Sequence, residues 1–387
     1  MKKNLTLLFV FSLLSLVLLS SLSCSSLTSI SSIKGEQEKK RYFRSLWTKN
    51  FDDHPKALEQ DTGHFMVAFQ SPLLLDQVVF VGTSYNEMMA LNAKDGREVW
   101  KVNEATAIVN TPTIHQELLI YGTAEGRLIA RQVQTGALRY AVDLGDAVES
   151  SAAIDKEGRL YVHLRNHKVI ALDALSGKIL WNYARSITHK TTLQQVSTPL
   201  LYKGSIIVGC ADGFVVSLTK EEGVVQWERQ VSQATKFVDV DMTPVLKGDL
   251  LYVASVAGPL TILNPDSGVI LRRFDYKVYR APHFLAADAG MIIGTDEGEL
   301  LHLDRYGAVV KRAKLSSSIL NISEWADALL VATRDGELYT VDSKEFKLLD
   351  QFHFGTKNSL LFGVPSISGK SVALLSSRNR LYLFKTN

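Results

Sequence analysis

Apolar and polar positions recur along most of the chain in one order. A short apolar strand is followed by a two-residue turn and a second apolar strand. A polar turn then ends in Gly, often with Trp four residues later. The clearest copies read MMALNAKDGREVW (88–100), VIALDALSGKILW (169–181) and VVSLTKEEGVVQW (215–227). Apolar runs this short, bounded by Gly, Asn and Asp, read as strands rather than helices. A unit of about 40 residues with several strands, repeated along the chain, predicts a β-propeller.

The two-residue turns count the units. They are Tyr85-Asn86, Glu125-Gly126, Asn166-His167, Asp212-Gly213, Ala257-Gly258, Glu297-Gly298, Asp335-Gly336 and Arg378-Asn379, with second residues 38 to 46 apart. Most hold Gly or Asn, which tolerate the positive φ of tight hairpins. Eight hairpins predict an all-β, eight-bladed propeller of four-stranded antiparallel blades. Units open on a Pro (SPLLLDQVVFVG, TPTIHQELLIYG, STPLLYKGSIIVG, MTPVLKGDLLYVA). Pro is tolerated at the first residue of a strand, where the ladder can lack one N–H. The last unit stops before its fourth strand. Residues 44–51 (RSLWTKNF), with Trp47, supply the missing piece, so that N- and C-terminal segments close the ring and leave no open edge.

The N-terminus departs from this pattern. Lys2 and Lys3 precede an apolar run from Leu5 to Leu22, followed by Ser23 and Cys24. This reads as a lipoprotein signal, residues 1–23, cleaved before a lipid-modified Cys24. Ser21 stands where the usual signal has Leu, and an uncleaved membrane anchor is the other reading of the run. Residues 24–40 are Ser-rich and then charged, the composition of a flexible tether. The propeller occupies 41–387. The formal charge of +3 falls to +1 when the two lysines of the signal are removed, and no basic block of five or six is present. A nucleic-acid partner is therefore not expected. With Cys24 lipidated, Cys210 is the one remaining cysteine, and its place at the end of an apolar strand makes it a small buried hydrophobe.

Trp100, Trp181 and Trp227 each follow a Gly by four residues, and the repeat resembles the pyrroloquinoline-quinone type, in which this Trp docks between blades. Tyr140, Arg272 and Lys311 replace it in the second, fifth and sixth units, and Trp325 is out of register. Quinoprotein dehydrogenases share the repeat. In those enzymes the resemblance implies Ca²⁺ on carboxylate and amide oxygens beside the quinone, often with a vicinal disulfide. This chain has no adjacent cysteines and no Ca²⁺-loop spacing. It has no GxSxG, HExxH or Gly-rich phosphate loop. His163 and His167 lie on a strand and its turn. No catalytic, metal or cofactor residues are expected, and a quinone-dependent dehydrogenase is retained as a minor alternative.

Residues 226–245 (QWERQVSQATKFVDVDMTPV) go beyond repeat grammar. With the preceding TTLQQVSTPLLYKGSIIVGCADG, they are similar to the BamB family, the propeller lipoproteins of the outer-membrane β-barrel assembly machinery. The resemblance implies a non-enzymatic scaffold, lipid-anchored at the periplasmic face of the outer membrane. It implies docking on a periplasmic repeat domain of the central barrel-forming subunit and a role in presenting unfolded outer-membrane proteins for insertion. The family's contact residues fall on Thr191, Leu193 and Gln194 in one loop and on Asp239 and Asp241 in the next. Gln194 stands where the family has Arg, and Thr191 where it has Leu. Leu193, an apolar residue among polar ones, has the character of an anchor for a partner's pocket. Asp239 and Asp241 alternate and would share one side of a strand. A binding propeller with another partner is the alternative.

Overall fold

A computed structural model describes residues 41–52, 68–186, 196–232, 238–256, 258–285, 290–355 and 359–387. Eight four-stranded antiparallel sheets follow one another as blades of a ring. Blades 1 to 7 span 73–103, 113–143, 153–184, 200–230, 245–274, 283–314 and 319–353, each in simple meander order. The eighth joins three C-terminal strands, Ser366–Ser368, Ser371–Leu375 and Arg380–Lys385, to the N-terminal strand Arg44–Asn50. Arg44 pairs with Lys385 and Asn50 with Arg380, so the expected closure is present.

The second residues of the hairpins behave as their chemistry demands. Asn86, Gly126, His167, Gly213, Gly298, Gly336 and Asn379 all have φ between 51° and 90°.

The core is divided into eight apolar clusters, one at each junction between successive blades. The division follows from the two-residue period of a strand. In blade 1, Val79, Val81, Met89 and Leu91 pack toward blade 8, while Phe80, Met88, Ala90 and Trp100 pack toward blade 2. Both faces of every blade are therefore apolar, which makes the middle strands continuous hydrophobic runs.

Hydrogen bonds around the inner rim tie blade to blade. At three places the residue before an inner-strand Pro supplies the acceptor: Val364 N–H donates to Ser71 Oγ (2.6 Å), Ser71 N–H to Thr111 Oγ1 (2.9 Å) and Thr198 N–H to Thr243 Oγ1 (3.1 Å). The first of these crosses the junction of the chain ends.

At the outer rim an indole does the same work. Trp47, Trp100, Trp181 and Trp227 donate Nε1–H to the carbonyls of Ala93, Val133, Lys220 and Pro265 in the next blade, at 2.8–3.1 Å. Their rings lie against Gly96, Gly136, Gly223 and Gly268, where a Cβ would sit 2.5–2.9 Å from ring carbon. This explains the Gly-x-x-x-Trp spacing: each Gly receives the preceding blade's aromatic ring, an indole or at Gly177 the Tyr140 ring, and its own blade's Trp serves the following one. Tyr140 keeps the bond, from its hydroxyl to Ala174 O (2.9 Å). Arg272 and Lys311 keep it with charged donors, to Tyr306 O (2.9 Å) and Lys344 O. Trp325, out of register, is fully buried between blades 7 and 8 and donates to Lys370 O (3.2 Å).

Candidate functional site

The expected contact residues divide into two groups. Thr191, Leu193 and Gln194 lie outside the described residues, as does Cys24. Asp239 and Asp241 are described, but the chain is not a strand there. They occupy the connection from blade 4 to blade 5, ahead of the inner strand Val245–Lys247.

The repeat explains their different settings. Val240 sits where Ile108 and Val148 sit in earlier connections. All three bury their side chains over a strand-ending Gly (Gly209, Gly82 and Gly122) that leaves no room for a Cβ. Val240 N–H donates to Cys210 O (3.1 Å), as Val148 N–H does to Thr123 O (3.1 Å). Asp239 therefore falls at the buried position of Ala107 and Ala147 and is 7% exposed. Asp241 falls at the position of Phe69, Glu149 and Val196, which line the mouth of the central channel.

The channel mouth is a cavity of about 310 Å³ walled by residues of all eight blades, among them Thr111, Glu149, Thr198, Asp241, Arg280 and Asn321. Arg280 was not singled out in the sequence. It stands two residues before Pro282, the place that Gln70, Asn110 and Ser197 hold before their own prolines. Those shorter side chains bond the adjacent strand: Gln70 Nε2 to Gly82 O (2.9 Å), and Gly209 N–H to Ser197 Oγ (2.8 Å). Arg280 is too long for that bond. It donates Nη2–H to Phe362 O (2.7 Å) in the connection to blade 8, and its Nε has no partner.

Two carboxylates at this mouth also have an unfilled oxygen, Asp241 Oδ2 and Glu149 Oε2. Burial pushes the Asp241 carboxyl up to about 6, against the pull of Arg280 and with the neighbouring charge of Asp239. Burial also raises Glu149, against the Arg165 guanidinium that bonds its other oxygen at 2.6 Å. The arrangement is a partly dehydrated polar mouth with acceptor capacity to spare, suited to a cationic or N–H-bearing group.

The residues on either side of segment 187–195 are held in place, and on the C-terminal side Val196 lines this mouth. On one side Arg185 donates to Asp212 Oδ2 and Glu228 Oε2, both at 2.7 Å, and lies 4.7 Å from the Phe214 ring centre. On the other, Val196 is buried and Ser197 O lies 3.2 Å from His163 Nδ1. His163 and His167 are themselves buried, their rings 5.4 Å apart. Burial, reinforced by its neighbour, drives His163 down to about 3, so this histidine is neutral and structural at physiological pH. Cys210 is a buried free thiol held up at about 12 by burial, the inert hydrophobe expected of it.

Among the described residues no group of three His, Cys, Asp or Glu is placed to hold a metal ion.

Comparison with known proteins points the same way as the repeat. Solved structures that share the fold include BamB of Moraxella catarrhalis (TM-score 0.73, 19% identity, 89% of this chain and 99% of that one). They also include a quinohemoprotein alcohol dehydrogenase of Pseudomonas putida (TM-score 0.68, 11% identity, 88% and 76%). At these identities the likeness is one of fold. The outer membrane protein assembly factor BamB of Shewanella oneidensis is 24% identical over 336 residues, covering 83% of this chain and 72% of that protein. The Yersinia pestis protein of the same name is 23% identical, covering 79% and 81%. The family model described as outer membrane protein assembly factor BamB matches residues 44–139 and 90–313, more than half of the chain. The chain belongs to the BamB family of outer membrane protein assembly factors.

Proposed function

We propose that this protein is a non-enzymatic scaffold in outer-membrane protein assembly. Cys24, lipidated after removal of residues 1–23, anchors it to the periplasmic face of the outer membrane, and residues 24–40 tether the propeller. The channel-mouth face docks on the periplasmic repeat domain of the central barrel-forming subunit. Leu193, flanked by Thr191 and Gln194, enters an apolar pocket there, and Asp241 accepts from a basic or N–H group of the same partner. Asp239, being buried, holds the shape of the loop that presents Asp241.

The observation that carries this reading is Asp241 itself. It lines the channel mouth with one buried oxygen that has no partner, and Val196, which follows segment 187–195, lines the same cavity. A buried acceptor without a partner costs about 1–3 kcal/mol, and an incoming donor recovers it.

The test is co-purification from membranes with a tag after Asn387, comparing wild type with Leu193→Glu plus Asp241→Arg. The barrel-forming subunit is expected with wild type and absent with the folded double variant. Wild type that brings down no such subunit sinks the scaffold reading. Retention in the folded variant sinks this site.

A further inference from the structure

The indole slots leave one junction different from the rest. Blades 8, 1, 3 and 4 each place a Trp against the following blade, and blade 2 places Tyr140. Three junctions lack that aromatic. At blade 6 the donor is Lys311, and Phe346, at φ 55° in the facing turn where other blades carry Gly, packs into the junction. At blade 7 the position is Asp350, and Tyr42, Phe43 and Trp325 fill the space.

At blade 5 the slot is only partly filled. Arg272 takes over the hydrogen bond to the next blade, and Phe274, two residues on, takes over the contact with Gly307. The space beneath remains as a cavity of about 430 Å³ between blades 5 and 6, within the range of small-molecule sites. Its walls are Leu250, Tyr252, Ile262, Phe274, Phe284 and Met291. Tyr252, Ile262 and Met291 are buried, and Tyr252 meets Phe284 edge to face at 4.8 Å.

The rim is cationic. Lys247, Arg272 and Arg305 surround the opening with a single carboxylate, Asp304. That carboxylate already accepts the N–H groups of Tyr306 and Ala308, both at 2.8 Å. Lys247 Nζ lies 5.8 Å from the Phe284 ring centre, so charge and aromatic wall adjoin.

We propose that this cavity binds an aromatic acid: a planar ring enters the apolar space between Phe274, Tyr252 and Phe284, and its carboxylate meets Lys247, Arg272 and Arg305. The aromatic walls, Tyr252, Phe274 and Phe284, select the ring. The rim selects the anion.

The full chain, labelled with ¹³C at its methionine methyl groups, tests this with indole-3-acetate as probe. The Met291 signal, assigned with Met291→Leu, is expected to shift saturably. Indole-3-acetamide, equal in shape but uncharged, is expected to bind at least tenfold more weakly. Arg272→Trp restores the repeat residue and fills the cavity from within. It is expected to abolish the shift while the Met88 and Met89 signals keep their wild-type positions. Lys247→Glu with Arg305→Glu is expected to weaken the acid at least tenfold without touching the walls. An acidic peptide with one tryptophan separates the sources: tighter binding than the free acid assigns the site to a partner's side chain, weaker binding to a free aromatic acid. No saturable shift with either probe overturns the proposal. So does equal affinity for the amide, or undiminished binding by folded Arg272→Trp.

Discussion

Single side chains here answer to their place in the repeat. Asp241 is the clearest case. Burial keeps its carboxyl protonated up to about pH 6 in the folded protein, well above the ordinary aspartate value near 3.9. Between those values the folded state binds more protons than the unfolded one. The stability linked to this group is therefore fully present below about pH 4 and is lost as pH rises through 6. Asp241→Asn should raise the urea midpoint at pH 8, by about 1–2 kcal/mol of stability after allowing for solvent at the channel mouth, and change it little at pH 4. A partner that bonds the carboxylate should bind more weakly as pH falls below 6, in pull-down or titration. Glycines separate in the same positional way. Gly223 has φ 69° and the Trp181 ring within 2.5 Å of a would-be Cβ, whereas Gly145 has φ 84° and open space. Gly145→Ala should cost about 1 kcal/mol of backbone strain, and Gly223→Ala about 3 kcal/mol or more, as read from denaturant midpoints.

At the scale of the strand and its turn, the outer-rim contact shows what sequence could and could not reveal. The spacing Gly-x-x-x-Trp and the turn pairs are local, so the hairpins, the blade count and the closing strand with Trp47 were all legible. The reason for the spacing was not, because Gly and Trp of one blade face opposite neighbours. Blade 7 extends the rule by reversing it. The closing blade has no turn between its third and fourth strands, since these are Arg380–Lys385 and Arg44–Asn50. The arriving segment presents N–H groups instead of a carbonyl, and Asp350 Oδ2 accepts from Tyr42 (2.9 Å) and Phe43 (3.4 Å). An acidic residue thus stands where other blades carry Trp, Tyr, Arg or Lys. Asp350→Ala should leave those donors unpaired and cost about 1–3 kcal/mol in chemical denaturation, while Asp350→Asn, which keeps an acceptor oxygen, should cost less. Nothing in residues 340–353 alone signals this, because the partner is more than 300 positions away. The reading of Asp239 and Asp241 as one strand face failed for a related reason. Val240 must bury itself over Gly209, which fixes the backbone as a connection and sends the two carboxylates to different surroundings.

Across the whole molecule, stability rests on closure. Each blade buries two apolar faces, and the eighth exists only when residues 44–50 pair with 380–385. A chain beginning at Phe51 should lose Trp47 from its slot and expose an unpaired strand edge. Its melting temperature should fall by at least about 10 °C, and it should aggregate at concentrations where the full chain stays monodisperse in light scattering. The sequence by itself determined the strands, the turns, the eight-fold count and the strand that completes the ring. All of these follow from period-two hydrophobicity and from backbone angles that Gly, Asn and Pro allow or forbid within a few residues. Only the tertiary structure decided which polar groups converge. Glu149, Asp241 and Arg280 come from three different connections and meet because ring closure brings every inner-strand start to one channel. The cavity beside Arg272 is likewise a property of two blades at once. A missing side chain leaves space only if the neighbouring blade does not fill it, and that depends on packing between segments far apart in the chain.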